Sequence, residues 1–152
     1  MKLVVTSNAF GSGGAIPVRY TCDGAGKAPT LTWSAVPQGT KTIAILVDDP
    51  DAERGPFTHL LVTDLPPELR SLNLGDAPPG GANVLLNDTG SPGYLAPCPE
   101  DGHQAYHYRV YALDATTVPT PGTTVVTRDG FLRAIEGHVL AEGELVGVYD
   151  GG

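Results

Sequence analysis

The chain is predicted to be a mostly antiparallel β domain with one or two short helices, and three observations carry that prediction. Twenty glycines and fourteen prolines in 152 residues mark a chain that turns often, because proline fixes φ and neither residue suits a helix interior or a central strand. Apolar residues come in short clusters bounded by turn residues. Only one stretch, near the C-terminus, switches to a helical period.

In chain order, "LVVT" (3–6) and "TLTW" (30–33) read as short strands beside Gly/Pro/Ser-rich turns. "TIAILV" (42–47) and "THLLVTDL" (58–65) are almost continuously apolar, the pattern of strands buried on both faces, and form the centre of the sheet. "PPELRSLNLGDAPPGG" is a long connection, followed by a strand at "NVLLN" (83–87) and a loop "DTGSPGYLAPCPEDG". "AYHYRVYALD" (105–114) alternates aromatic and polar positions and is the clearest strand. Phe131, Ile135 and Val139 fall at i, i+4 and i+8, which predicts an amphipathic helix of about ten residues. Thr127 or Asp129 would cap it, Gly143 would end the helical region, and "ELVGVY" would close the sheet.

The length suits one domain, residues 1–152. A 41% hydrophobic and 17% charged composition is globular, and no apolar run is long enough to span a bilayer. A formal charge of −8 offers no Lys/Arg field for nucleic acid or acidic lipid surfaces, so a general nucleic-acid or membrane role is disfavoured. "MKLVVTSNAF" has too short an apolar run for a signal peptide, so the expectation is a cytoplasmic protein. Cys22 and Cys98 match no zinc or redox spacing. Two loop cysteines can meet and bond, but reduced thiols are the expectation for that compartment.

The unusual stretch is "DDPDAERGPFTH" (48–59), where Asp48, Asp49 and Asp51 crowd around Pro50 at a strand end. A calcium loop fails, since its sixth position would be Arg54 and its twelfth Leu60. As general acid and base the carboxylates lack a partner nucleophile. A plain Asx turn ahead of Pro50 is the structural alternative. His59, at the start of the next strand, lies at the same sheet edge, and a neighbouring carboxylate would raise its pKa and hold it charged. His103 and His107 stand at i, i+4, a metal spacing on a helix, but the strand pattern sets them apart at ~3.3 Å per residue. Zinc is therefore not expected. His138 reads as structural. In "GSPGYLAPCPEDG" the prolines and Gly93 hold a stiff loop whose backbone N–H groups suit an anion.

Six stretches, "IPVRYTCDG", "LTWSAVPQGTKTIAILVDDPDA", "FTHLLVTDLP", "GSPGYLAPCPEDG", "YRVYALD" and "EGHVLAEGELVGVY", resemble the phosphatidylethanolamine-binding protein family, in particular its prokaryotic, Raf-kinase-inhibitor-like branch. The resemblance runs the whole chain. It implies a β-sandwich, a large central antiparallel sheet with a smaller one against it, and an anion site at one sheet edge. It implies ligand-binding roles for Asp49, Pro50, Asp51, His59, Gly93, Tyr94, Ala96, Pro97, Cys98, Gln104 and Tyr106, and a loop running from Gly93 to Pro99. It also implies a phosphate- or carboxylate-bearing ligand, no cofactor or metal, and a kinase or protease as a possible partner.

The chain departs from the family pattern in places. Counting back from "VYALD", the second pocket histidine falls on Gln104, which His103 could replace if the loop shifts by one residue. Leu95 and Ala96 stand where relatives often carry Gly-Gly, and Ser91 where a larger or basic residue is common. The anion site is thus expected to be weakened or retuned. The reading is a non-enzymatic anion- or phospholipid-headgroup-binding module with a regulatory role, in which Asp49 and Asp51 orient the site, His59 and Tyr106 donate, and the backbone of Ala96 to Cys98 cradles the ligand. The alternative is a kinase or protease inhibitor working through surface residues such as 66–81.

Overall fold

The computed structural model describes residues 2–52, 55–80, 82–98, 103–115 and 128–150. Among these residues eight strands form two antiparallel sheets. β1 (Val4–Ser7), β2 (Thr30–Ser34) and β5 (Ser71–Asn73) make the smaller, in the order β1-β2-β5. β3 (Thr42–Asp49), β4 (Phe57–Leu65), β6 (Asn83–Val84), β7 (His103–Leu113) and β8 (Val139–Asp150) make the larger, in the order β6-β4-β3-β7-β8. One α-helix, α1 (Arg128–Ala134), and a 3-10 turn at Val18–Tyr20 complete the described elements.

β3 is central and every one of its residues is buried, as its unbroken apolar run predicts. Its side chains alternate between two layers. Ile43, Ile45 and Val47 join Leu31, Trp33, Leu60, Tyr106 and Tyr108 in the core between the sheets. Ala44 and Leu46 join Leu61, Tyr111, Phe131 and Ile135 under α1. Among the described residues no helix is long and apolar enough to cross a membrane.

The structure corrects four expectations of local structure. The helix is shorter than predicted: Phe131 and Ile135 keep the helical spacing and are buried, but Gly137 takes a positive φ of 82°, and Val139 already pairs with Leu113 as the start of β8. His138 lies in the turn between them, where its Nδ1 is 2.8 Å from Asp114 Oδ1. Gly143 is a strand residue rather than a helix stop, and a Cβ there would run into the Leu3 carbonyl. Asp129 sits inside the first helical turn instead of capping it, and Thr127 lies outside the described residues. Lastly, the stretch taken as a long connection contains β5, whose three residues bury only Leu72 and so carry too little periodicity to register.

Candidate functional site

The end of β3 sends its neighbouring carboxylates to opposite faces. Asp48 faces the α1 layer and is fully buried, where Arg109 Nε donates to its Oδ1 at 2.9 Å and Arg128 Nε to its Oδ2 at 2.6 Å. A buried carboxylate is tolerable when matched in this way. Asp49 faces the layer between the sheets and is only 5% exposed. Its Oδ1 accepts the Asp51 N–H at 3.2 Å, the Asx turn around Pro50 considered from the sequence. With the Gln104 amide oriented to satisfy both groups, its nitrogen donates to Asp49 Oδ2 at 2.9 Å and to Oδ1 at 3.3 Å. Burial pushes the Asp49 carboxyl above its ordinary pKa, reinforced by the charges of Asp51 and Asp48 and opposed by the Asp51 N–H and by His107. Asp51 itself is exposed.

His59 owes its position to a β-bulge. β3 and β4 pair Val47 with Leu60 and Asp48 with Thr58, which leaves His59 as the extra residue. A bulge re-aims side chains, and here the imidazole stands edge-on between two rings, Phe57 at 5.1 Å and Tyr106 at 5.3 Å between centroids. Its Nδ1 lies 2.8 Å from the Leu95 carbonyl; a carbonyl only accepts, so Nδ1 carries the hydrogen and donates. The Leu95 N–H returns a bond to the His59 carbonyl at 3.0 Å, which fastens the loop to the strand from both sides.

This arrangement overturns the expected carboxylate clamp. Asp48 spends its oxygens on arginines and Asp49 on the Gln104 amide and the Asp51 N–H. Burial of His59 lowers its pKa below the ordinary value, outweighing the Leu95 carbonyl and the charges of Asp48 and Asp88, which act the other way. The imidazole is therefore neutral near neutral pH, with Nε2 left as an acceptor.

The loop is braced at each step. Gly93 takes a φ of 103°, a conformation open to glycine, and its carbonyl accepts Asn87 Nδ2 at 3.0 Å. The Tyr94 side chain turns inward, its hydroxyl 2.9 Å from that of Tyr108. The Pro97 carbonyl accepts the Cys22 N–H at 3.0 Å. Cys22 and Cys98 form a disulfide across a sequence separation of 76, which corrects the expectation of two reduced thiols. Docking of two loops distant in sequence, rather than any spacing motif, brings them together. Next to Cys22, Asp23 Oδ2 accepts the Tyr149 hydroxyl at 2.6 Å, so the same loop is tied to β8. Among the described residues the Ala96 N–H donates to no backbone carbonyl and remains a candidate ligand donor. Pro99 lies outside the described residues.

On β7, Gln104, Tyr106 and Tyr108 share the inner face, since Tyr106 and Tyr108 belong to the inter-sheet core and residues two apart point the same way. Tyr106 is buried against His59, and burial raises its pKa with a further push from Asp49, so its hydroxyl stays protonated and able to donate. Gln104 pairs with Tyr149 on β8 and reaches Asp49, so the one-residue shift that would put His103 in its place does not occur. His107 belongs to the opposite face with Glu144, at 3.1 Å. Among the described residues no group of His, Cys, Asp and Glu side chains could hold a metal ion.

The structure thus brings Asp49, His59, Gln104, Tyr106 and the Gly93–Cys98 loop to one end of the sandwich. It places Asp51 in solvent and packs the half-buried Tyr94 against the inter-sheet core. Sequence reasoning missed Arg109 and Arg128, although each left a trace. Arg109 interrupts an aromatic strand, and Arg128 stands at a helix N-terminus, where the helix dipole disfavours a cation; both positions call for an acidic partner.

A family model described as phosphatidylethanolamine-binding protein matches residues 6–150. A UPF0098 protein of Methanothermobacter thermautotrophicus is 42% identical over 94% of this chain and 95% of its own length, and one of Chlamydia muridarum is 38% identical over 96% and 97%. The crystal structure of a phosphatidylethanolamine-binding protein homolog from Chlamydia trachomatis superposes with a TM-score of 0.87 at 35% identity, covering 99% of each chain. That of Escherichia coli YbcL, described as a new member of the mammalian family, does so with 0.86 at 29% identity, covering 98% of each. With the sheet order and the acidic turn facing the His59 loop, these matches establish that the chain belongs to the phosphatidylethanolamine-binding protein family.

Proposed function

We propose that the protein is a non-catalytic module that binds a small anionic group, a phosphate or carboxylate such as a lipid headgroup carries, and serves a regulatory role. The observation that supports this reading best is the two-way fastening of His59 to Leu95 beside the Tyr106 ring. It fixes a phenol, and an imidazole that becomes a donor to the ligand once protonated, next to a stiff loop whose Ala96 N–H meets no backbone carbonyl among the described residues, and preorganised donors of this kind bind anions without a net positive charge. His59 spends its Nδ1 hydrogen on a carbonyl and activates no hydroxyl or thiol among the described residues, so nucleophilic catalysis has no support.

In this reading Tyr106 and the Ala96 N–H donate at all pH values of interest, and His59 Nε2 donates only once protonated. Affinity should therefore rise as pH falls through the lowered His59 pKa. Titration of the protein with inorganic phosphate or phosphoethanolamine, followed by NMR, should move the His59 ring signals and the Ala96 amide, and His59→Ala should abolish the response at Ala96. A response that survives in His59→Ala, or a flat pH profile, would refute the reading.

A further inference from the structure

The ligand loop is joined to the body of the protein by a disulfide that lies at the surface. Cys22 and Cys98 are both exposed, and neither belongs to the core between the sheets or to the one under α1. Access decides whether a thiolate can attack a disulfide, and exposed disulfides are the labile ones.

The two cysteines are held differently. The turn that carries Cys22 is fixed to the body: Thr21 is fully buried, its N–H and its hydroxyl donate to the Val18 carbonyl at 3.0 and 2.8 Å, and Asp23 accepts the Tyr149 hydroxyl at 2.6 Å. Cys98 instead belongs to the ligand loop. Upstream of it, Leu95 is held by His59 through both backbone groups. Among the described residues, the backbone hydrogen bond and the covalent tie of Ala96–Cys98 both go to Cys22, the first from its N–H to the Pro97 carbonyl at 3.0 Å. Gly26, just beyond Cys22, lies against the same segment, since a Cβ there would meet that of Ala96 at 3.9 Å.

Ala96 therefore sits between two anchors, His59 on one side and Cys22 on the other. With the disulfide closed, the Ala96 N–H is ordered before a ligand arrives, and preorganisation of this kind raises affinity. With it open, the ligand has to order the loop itself, and binding weakens with no change in the contacts made.

Resting on the anion-binding reading above, we propose that the Cys22–Cys98 disulfide is a redox latch on the ligand loop, closed in a high-affinity state and opened by a dithiol reductant to give a low-affinity one. A thiolate of the reductant attacks one sulfur, the S–S bond breaks, and the other cysteine leaves as a thiolate. The second thiol of the reductant then attacks the mixed disulfide. Two electrons pass to the protein, the reductant becomes a disulfide, and its two protons end on Cys22 and Cys98. The coupling is reciprocal, so bound anion makes the disulfide harder to reduce by the same factor by which reduction weakens the anion's binding.

The test uses the full chain without denaturant, dithiothreitol as the dithiol and inorganic phosphate as the probe. Dithiothreitol should release both thiols of the disulfide, and NMR should show the amide signals of Leu95 and Ala96 shifting while those of β3 and β7 stay dispersed. Phosphate affinity read at Ala96 should fall at least about fivefold, the lower end of ordinary coupling between sites. The double variant Cys22→Ser, Cys98→Ser should bind as weakly as the reduced protein and ignore dithiothreitol. In redox buffers, saturating phosphate should move the midpoint to a more negative potential, by about 30 mV for a tenfold coupling. Equal phosphate affinity in the oxidised and reduced proteins would overturn the latch while leaving the anion site standing. So would a disulfide that folded protein does not yield to dithiothreitol, or a collapse of the sheet signals on reduction, which would make the bond a requirement of the fold. If the oxidised protein binds no phosphate, the anion-binding reading falls and the latch with it.

Discussion

Asp48 and Asp49 are adjacent, equally acidic and both buried, yet their surroundings differ in kind. Asp48 is matched by two guanidinium groups, one from β7 and one from α1. Among the described residues Asp49 meets an amide and a backbone N–H. The matched carboxylate is a brace that fastens the helix to the sheet, whereas the other is held by neutral donors and acts electrostatically on Tyr106. The two faces are also stabilised differently: the Asp48 side by charge, and the Asp49 side by a disulfide and backbone bonds to the loop.

The largest effect should come from the loop side. Reducing the Cys22–Cys98 bond, or replacing both residues by serine, frees a closed loop of more than seventy residues, which costs about 4 kcal/mol in the chain-entropy account. Denaturant midpoints of oxidised and reduced protein measure it, and the His59 ring signals should shift at the same time because Leu95 is no longer held. Next, Asp48→Ala leaves two partly buried arginines without their shared partner, at a cost of about 3 kcal/mol. Thermal unfolding should report that loss while phosphate affinity stays within about twofold of wild type, since this face does not touch the ligand. If Asp48→Ala abolishes binding, the division between the faces is wrong.

Asp49→Asn should behave in the opposite way. A carboxyl whose pKa is raised on folding favours the folded state when protonated, and that contribution is lost as pH rises through its folded pKa. At neutral pH the buried charge is therefore a burden, and the amide variant should be as stable as the wild type or more so in urea unfolding. The smallest effect concerns His59. Its folded pKa is depressed, so its contribution to stability is present above the unfolded value near 6.5 and is lost as pH falls below that value through the folded one. An NMR pH titration of the ring should give a midpoint below 6.5, moving lower still in Asp48→Asn, because the Asp48 charge acts to raise it.

Much of this was legible before any coordinates. The apolar runs of β3 and β4 and the alternation of β7 lie within two residues of their observed bounds, because continuous or alternating burial leaves a direct imprint on composition. Asp49, His59, Gln104 and Tyr106 were all singled out, and the structure gathers them at one end of the sandwich. The charge state of His59 is not legible in the sequence, because a carboxylate near it in the chain is not its partner in space. The bulge at His59 sends the imidazole toward Tyr106 and the Leu95 carbonyl instead. Tyr94, expected at the ligand, has its hydroxyl 2.9 Å from that of the core residue Tyr108.

By itself the order of residues determined the strand-rich architecture, the short helical stretch and an acidic turn with a histidine at the start of the next strand, since turn chemistry and burial period act over a few neighbours. Tertiary structure alone decided which of two consecutive aspartates would meet arginine, and that Cys22 would meet Cys98. Those partners come from 61, 80 and 76 positions away, and local periodicity holds no record of what the far end of the chain brings to a given face.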